Sequence, residues 1–230
     1  MAKQRKKNHP IPPVAPYRFL GSLGLLALVG LSLLVVRILT SDSLRFSFLL
    51  WNLVLAFIPA LLAWWLVTRV RLYGWLKWQQ IVLTALWILF LPNSFYIITD
   101  LIHLRSNYEA DLLFDITLLM SFIVTGLMLG FISVYLVHTQ MLRRMRERSA
   151  YGLIAILLLA ASFAICLGRY TRWNTWDILL QPIGLLFDVS DRVINPDAHL
   201  QTYQTTVVLF LLLLASYSVV YEAARLIKRT

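Results

Sequence analysis

The chain has 230 residues, 60% of them hydrophobic and 14% charged, with a formal charge of +10 and a mean hydropathy of +0.74. That leaves too little polar surface to clothe a soluble globule, so the composition excludes a water-soluble domain and demands lipid as solvent. The basic residues sit in short clusters beside apolar runs, which points to anionic lipid headgroups as counter-charge and away from nucleic acid.

The start, Met1 to Lys7, is basic and is followed by Pro10, Pro12, Pro13 and Pro16. No small-residue cleavage pattern follows the first apolar run, so residues 1–17 read as a cytoplasmic tail ahead of an uncleaved span. A bilayer core of roughly 30 Å needs about 20 helical residues. Six segments qualify, near Phe19–Val36, Phe46–Val67, Trp75–Leu91, Leu112–Val137, Tyr151–Leu167 and Thr205–Tyr221. The expected fold is an all-α polytopic helix bundle over residues 18–224, with a basic cytoplasmic tail at 225–230.

The loops alternate in charge. One side collects fifteen Lys and Arg, including Arg69, Arg71, Arg143, Arg144 and Arg225, against only Glu147 and Glu222. The other has six cations against nine acids, so the sides carry +13 and −3. Cytoplasmic loops hold the Lys/Arg excess, which predicts that both termini are cytoplasmic. Inside the spans, Gly126 and Gly130 form a Gly-x-x-x-Gly face that Ser133 extends by a turn, a pattern for close helix packing. Pro59 is expected to kink the second span. No internal repeat suggests an inverted-repeat transporter.

Between the third and fourth spans, Pro92 is expected to end or bend the third helix, and Asn93 or Ser94 to cap a new amphipathic outer helix. On that helix Tyr96, Thr99, Asp100 and His103 form one polar stripe, which must face water, protein or ligand. Asp, His, Tyr and Thr are the residues that move protons or hold cations, making Asp100 and His103 the catalytic candidates. Two such ligands are too few for a metal site, and with Cys166 the single cysteine, no metal or other cofactor is expected.

Between the fifth and sixth spans, Gly168 to Pro182 packs Arg169, Arg172, Trp173, Asn174, Trp176 and Asp177 within nine positions. Arg169 and Arg172, read as one turn apart, could fork onto a carboxylate or phosphate, or pair with Asp177, Asp100 or Asp115. Asp177 is the third catalytic candidate. The run Ile178–Val189 is too apolar to float in water and is broken by Gln181-Pro182 and Gly184, so a re-entrant or surface-lying helical hairpin is expected. Trp51 and Asn52 in the second span and Asp115 in the fourth belong to the same leaflet. An amide or carboxylate in a span is a functional candidate by default.

The blocks Leu91-Pro92-Asn93 through Thr99-Asp100-Leu101, Arg172-Trp173-Asn174-Thr175-Trp176-Asp177, Trp51-Asn52-Leu53 and Phe114-Asp115 resemble the hallmarks of an uncharacterised bacterial multi-pass membrane family, catalogued as domain of unknown function 1361. Ser94-Phe95 stands where related sequences often carry a small residue and proline, and Thr175 where serine is common. The resemblance covers most of the chain from Trp51 and implies a bacterial inner-membrane protein, with no activity attached.

Three functions follow from these readings. The first is an enzyme or binding protein holding an anionic lipid, an envelope intermediate or a small ligand in an outer-leaflet pocket. That pocket would be formed by Tyr96, Asp100, His103, Arg169, Arg172, Asn174 and Asp177 and roofed by Ile178–Val189. The second is a scaffold docking a membrane-protein partner or a second copy of itself. The third, a transporter component, ranks lower because the inner halves of the spans read as too apolar for a polar route.

Overall fold

The computed structural model describes residues 16–41, 44–104 and 109–229. The tail before residue 16, Asp42 and Arg105 therefore lie outside the described residues. In chain order the helices are α1 (Pro16–Ser41), α2 (Phe48–Tyr73), α3 (Trp78–Tyr96), α4 (Glu109–Met141), α5 (Glu147–Tyr170), α6 (Asp177–Leu180), α7 (Pro182–Ile194) and α8 (Leu200–Arg229). A 3-10 segment, Ile97–His103, extends α3, and a second, Pro196–His199, leads into α8. Among the described residues there is no strand. In hydrocarbon every backbone N–H and C=O must be satisfied within the chain, and helices alone do this without a closed barrel.

Six segments are long and apolar enough to cross a bilayer: Gly21–Thr40, Phe48–Tyr73, Trp78–His103, Leu112–Met141, Glu147–Tyr170 and Pro196–Leu226. Helix α4 is the hub. It packs on α1, α2, α3, α5 and α8, while α3 in turn holds α2 on one side and α5 on the other. Three apolar clusters result among the described residues, the smallest around Leu23, Ala56 and Leu129. One gathers Leu66, Trp87, Phe95, Phe131, Leu158 and Tyr217 from five helices. Another joins α1, α2 and α4 around Leu34, Leu49 and Phe122.

The Gly126–Gly130–Ser133 face is the contact between α4 and α3. A Cβ on Gly126 would lie 2.6 Å from Ile97 Cγ2 and 2.9 Å from the Ser94 carbonyl, and one on Gly130 would lie 2.5 Å from the Phe95 ring. One turn on, Ser133 Oγ accepts a hydrogen bond from Trp87 Nε1 at 2.8 Å. Small residues thus bring two backbones together where lipid supplies no hydrophobic drive.

Pro92 does not end the third helix. α3 runs through it to Tyr96 and tightens into the 3-10 turn without a break. The expected segment beyond the third span is therefore a continuation of α3, and Asn93 and Ser94 lie inside it, capping nothing. Inside a bundle, a freed carbonyl finds partners on neighbouring helices, so proline is tolerated. Ser94 ties the two helices together here, its hydroxyl donating at 2.8 Å to the carbonyl of Ala56 in α2. The Ile178–Val189 segment is helical as expected, spanning α6 and most of α7 with Gln181 between them.

Candidate functional site

The site assembles where the start of α2, the end of α3 and the end of α5 meet. Asp100 is 1% exposed, and a carboxyl so deep needs partners. Asn52 Nδ2 of α2 donates to its Oδ2 at 2.7 Å, and Arg169 Nη1 of α5 stands 3.9 Å from its Oδ1. The same guanidinium lies 3.3 Å from His103 Nε2 and 3.5 Å from the Tyr96 hydroxyl. Guanidinium only donates, so in this contact His103 Nε2 is the acceptor. His103 also packs at 4.8 Å on the Phe48 ring, and its carbonyl accepts from Arg45.

Two chain segments far apart in sequence therefore meet through Arg169. Thr99 does not join them. With three residues per turn, Ile97, Asp100 and His103 line up, and the Thr99 hydroxyl donates to the Tyr96 carbonyl of its own helix at 2.7 Å. No group of three or more His, Cys, Asp or Glu is placed to hold a metal ion among the described residues.

The loop after α5 departs from the forked-arginine expectation. α5 ends at Tyr170, Thr171 caps it, and Arg172 adopts φ of +61°, so Arg169 and Arg172 are not successive turns of one helix. Arg172 is exposed. Asp177 is kept within its own turn, its Oδ2 accepting the Asn174 N–H at 2.6 Å, and it does not join Asp100 and His103. Trp176 is exposed. Asp115 is a separate fixture: its carboxylate, 0% exposed, takes Arg37 of α1 in a fork at 2.8 and 3.0 Å.

Trp173 fastens the roof. Its Nε1 donates to Asp188 Oδ2 at 2.5 Å, its ring lies against Gly184, where a Cβ would come within 3.1 Å, and Arg192 grips Asp188 Oδ1 at 2.6 Å. Burial pushes the Asp188 carboxyl up, but the hydrogen bonds from Trp173 and Arg192 outweigh it and hold the group below the ordinary carboxylate range. Tyr203 of α8 closes the chain of contacts on the Arg192 carbonyl at 2.7 Å.

Beneath this roof is a cavity of about 460 Å³, within the range of about 300–1,000 Å³ usual for small-molecule sites. Its floor is α3, its walls α2 and α5, which make no substantial contact with each other. Toward the loops it is lined by Asn52, Asn93, Tyr96, Asn174 and Thr175. About one helical turn deeper, roughly 5 Å, the lining is Leu55, Leu89, Phe163 and Ala164. Asn93 Nδ2 donates across it to Thr175 Oγ1 at 3.0 Å, tying α3 to the loop. Asp100, His103, Arg169 and Arg172 are not in the lining.

At the other end of the bundle is a buried polar group that sequence reading passes over. His138 of α4 is 0% exposed, its Nδ1 lies 2.7 Å from the Tyr217 hydroxyl of α8, and its ring stacks on Tyr221 at 4.8 Å. Glu147 accepts from Tyr221 at 3.3 Å and from Arg225 at 2.7 Å. Gln80 and Gln140 are buried there as well, so this half of the spans is less apolar than the sequence suggests. The signal was available: Tyr135 and His138 are three apart on α4, and Tyr217 and Tyr221 four apart on α8, each pair on one helical face.

Six membrane-length helices with a polar core at either end define an integral, multi-pass membrane protein. Residues 51–217 match the family described as a protein of unknown function (DUF1361), and the chain belongs to it. No curated protein and no solved structure matches the chain.

Proposed function

We propose that this protein holds an amphiphilic molecule of the membrane, a lipid or lipid-linked envelope intermediate, in the cavity under α6 and α7. The observation that carries the reading is the gradient of the lining: amides and hydroxyls next to the loops, aliphatic and aromatic groups one turn deeper. An amphiphile entering between α2 and α5 finds its head among polar groups and its chain among apolar ones. Because the Lys/Arg excess marks the opposite end as cytoplasmic, the cavity opens in the outer leaflet, with both termini inside. Asn52, Asp100, His103 and Arg169 serve as the braced wall behind it, fixing α2, α3 and α5 relative to one another.

The test is photolabelling of the full chain in bilayers with a lipid carrying a diazirine on its acyl chain. Label should concentrate on Leu55, Leu89 and Phe163 and their neighbours, and should drop when Leu89→Trp fills the deep end. Label spread evenly over the outward faces of all six spans, unchanged by Leu89→Trp, would refute the reading.

A further inference from the structure

The cavity has no charged side chain in its lining, although charged residues stand behind its wall and in its roof. Asp100 and Arg169 face each other behind the wall, Asp188 faces Arg192 in the roof, and Arg172 is turned out to solvent. What remains to meet a ligand is a neutral set of donors and acceptors. Asn52 and Asn93 each commit one N–H to a neighbour, which fixes the amide and leaves the side-chain carbonyl as an acceptor beside the second N–H. Thr175 Oγ1 receives the Asn93 bond and Tyr96 Oη receives Arg169, so each hydroxyl keeps its own hydrogen to donate. Asn174 adds an amide from the loop.

A phosphate group offers acceptors only, so it can pair with neither amide carbonyl, and no cation in the lining faces it. Burying a phosphate there without a facing cation costs far more than a hydrogen bond returns. A hydroxyl both donates and accepts, so a polyhydroxylated, uncharged head satisfies the two carbonyls and two hydroxyls at once. We infer that the head recognised in this cavity is neutral and hydroxyl-rich, a glycosyl unit on an alkyl or isoprenoid chain, and that anionic phospholipid is selected against.

This rests on the cavity reading above, and its experiment separates the two. The full-length protein is purified in mild detergent and offered glucosyl diacylglycerol, phosphatidylglycerol or unsubstituted diacylglycerol of matched chains, with retained lipid read by native mass spectrometry. Glucosyl lipid should be retained at least about fivefold over phosphatidylglycerol, since one or two good hydrogen bonds decide the difference. Asn93→Leu should reduce that preference by about fivefold to tenfold, and Asn174→Ala, on the loop and outside the helix packing, should reduce it with the melting temperature unchanged. Leu89→Trp should abolish retention of all three. Phosphatidylglycerol held as well as or better than glucosyl lipid, in a manner still lost in Leu89→Trp, overturns the neutral head and leaves the cavity standing. A glucosyl preference indifferent to both asparagine variants also overturns it. Retention of every lipid unaffected by Leu89→Trp overturns both proposals.

Discussion

Removing Arg169 should be among the most damaging single changes at this end of the bundle. Asp100 sits at 1% side-chain exposure with Arg169 at 3.9 Å and 16% exposure. At that separation and an effective dielectric of about 20, the Coulomb attraction is about 4 kcal/mol. Breaking a buried pair by removing one partner typically costs about 3–5 kcal/mol, because the remaining charge is stranded. Arg169→Met should therefore lower unfolding stability by about 3–5 kcal/mol. Asp100→Asn in the same chain should restore much of the loss, since a neutral amide no longer needs the cation. The assay is reversible unfolding of the purified protein in mixed micelles, with both single variants and the double completing the cycle. The reasoning fails if Arg169→Met is as stable as the parent, or if the double variant is no better than Arg169→Met alone.

Further outcomes follow from other contacts. Gly126→Ala, whose Cβ would press on the Ser94 carbonyl at 2.9 Å, should destabilise by about 1–3 kcal/mol, whereas Gly152→Ala, with nothing within 4 Å, should be neutral to slightly stabilising in the same unfolding assay. Because hydrogen bonds to the folded form depress Asp188, its contribution is complete above its unfolded value of about 3.9 and is lost as pH falls through the lower folded value. Protection factors in α7, corrected for the intrinsic exchange rate at each pH, should thus be unchanged from pH 8 to pH 5 and fall below about pH 4, while Asp188→Asn should show reduced protection already at neutral pH. Single cysteines introduced at Lys77 and Glu222, in a Cys166→Ala background, should react with an impermeant thiol reagent only from the cytoplasmic side; reaction from outside would invert the orientation.

Much of the fold is legible because hydrocarbon imposes one rule, that backbone groups pair internally, and that rule needs only composition and length to apply. Hydropathy therefore locates all six spans, and the Gly126–Gly130–Ser133 spacing identifies the packing face of α4 without coordinates. What hydropathy misjudges is where a helix stops. Pro92 reads as a breaker by the rules of soluble helices, yet the third span continues to His103, as proline is tolerated in helices packed within a membrane bundle. The convergence of the two polar strings is foreshadowed by their shared side and chemistry. Which partners form is not, since Arg169 has Asp100, Asp115 and Asp177 equally open to it in sequence. Asp115 goes to Arg37, 78 positions away, and Asp177 stays in its own turn. Arg172 leaves the set through a left-handed backbone that no local pattern announces in a non-glycine residue. The His138–Tyr217 pair is overlooked because isolated polar residues in a long apolar helix do not shift its average hydropathy.

The most direct measurement is a density map of the protein purified from native membranes without delipidation. Elongated density should run between α2 and α5 beneath α7, its broad end against Asn93 and Asn174 and its narrow end against Leu55 and Leu89. A map in which those side chains close on one another, with ordered lipid only on the outer faces of the bundle, would contradict the account.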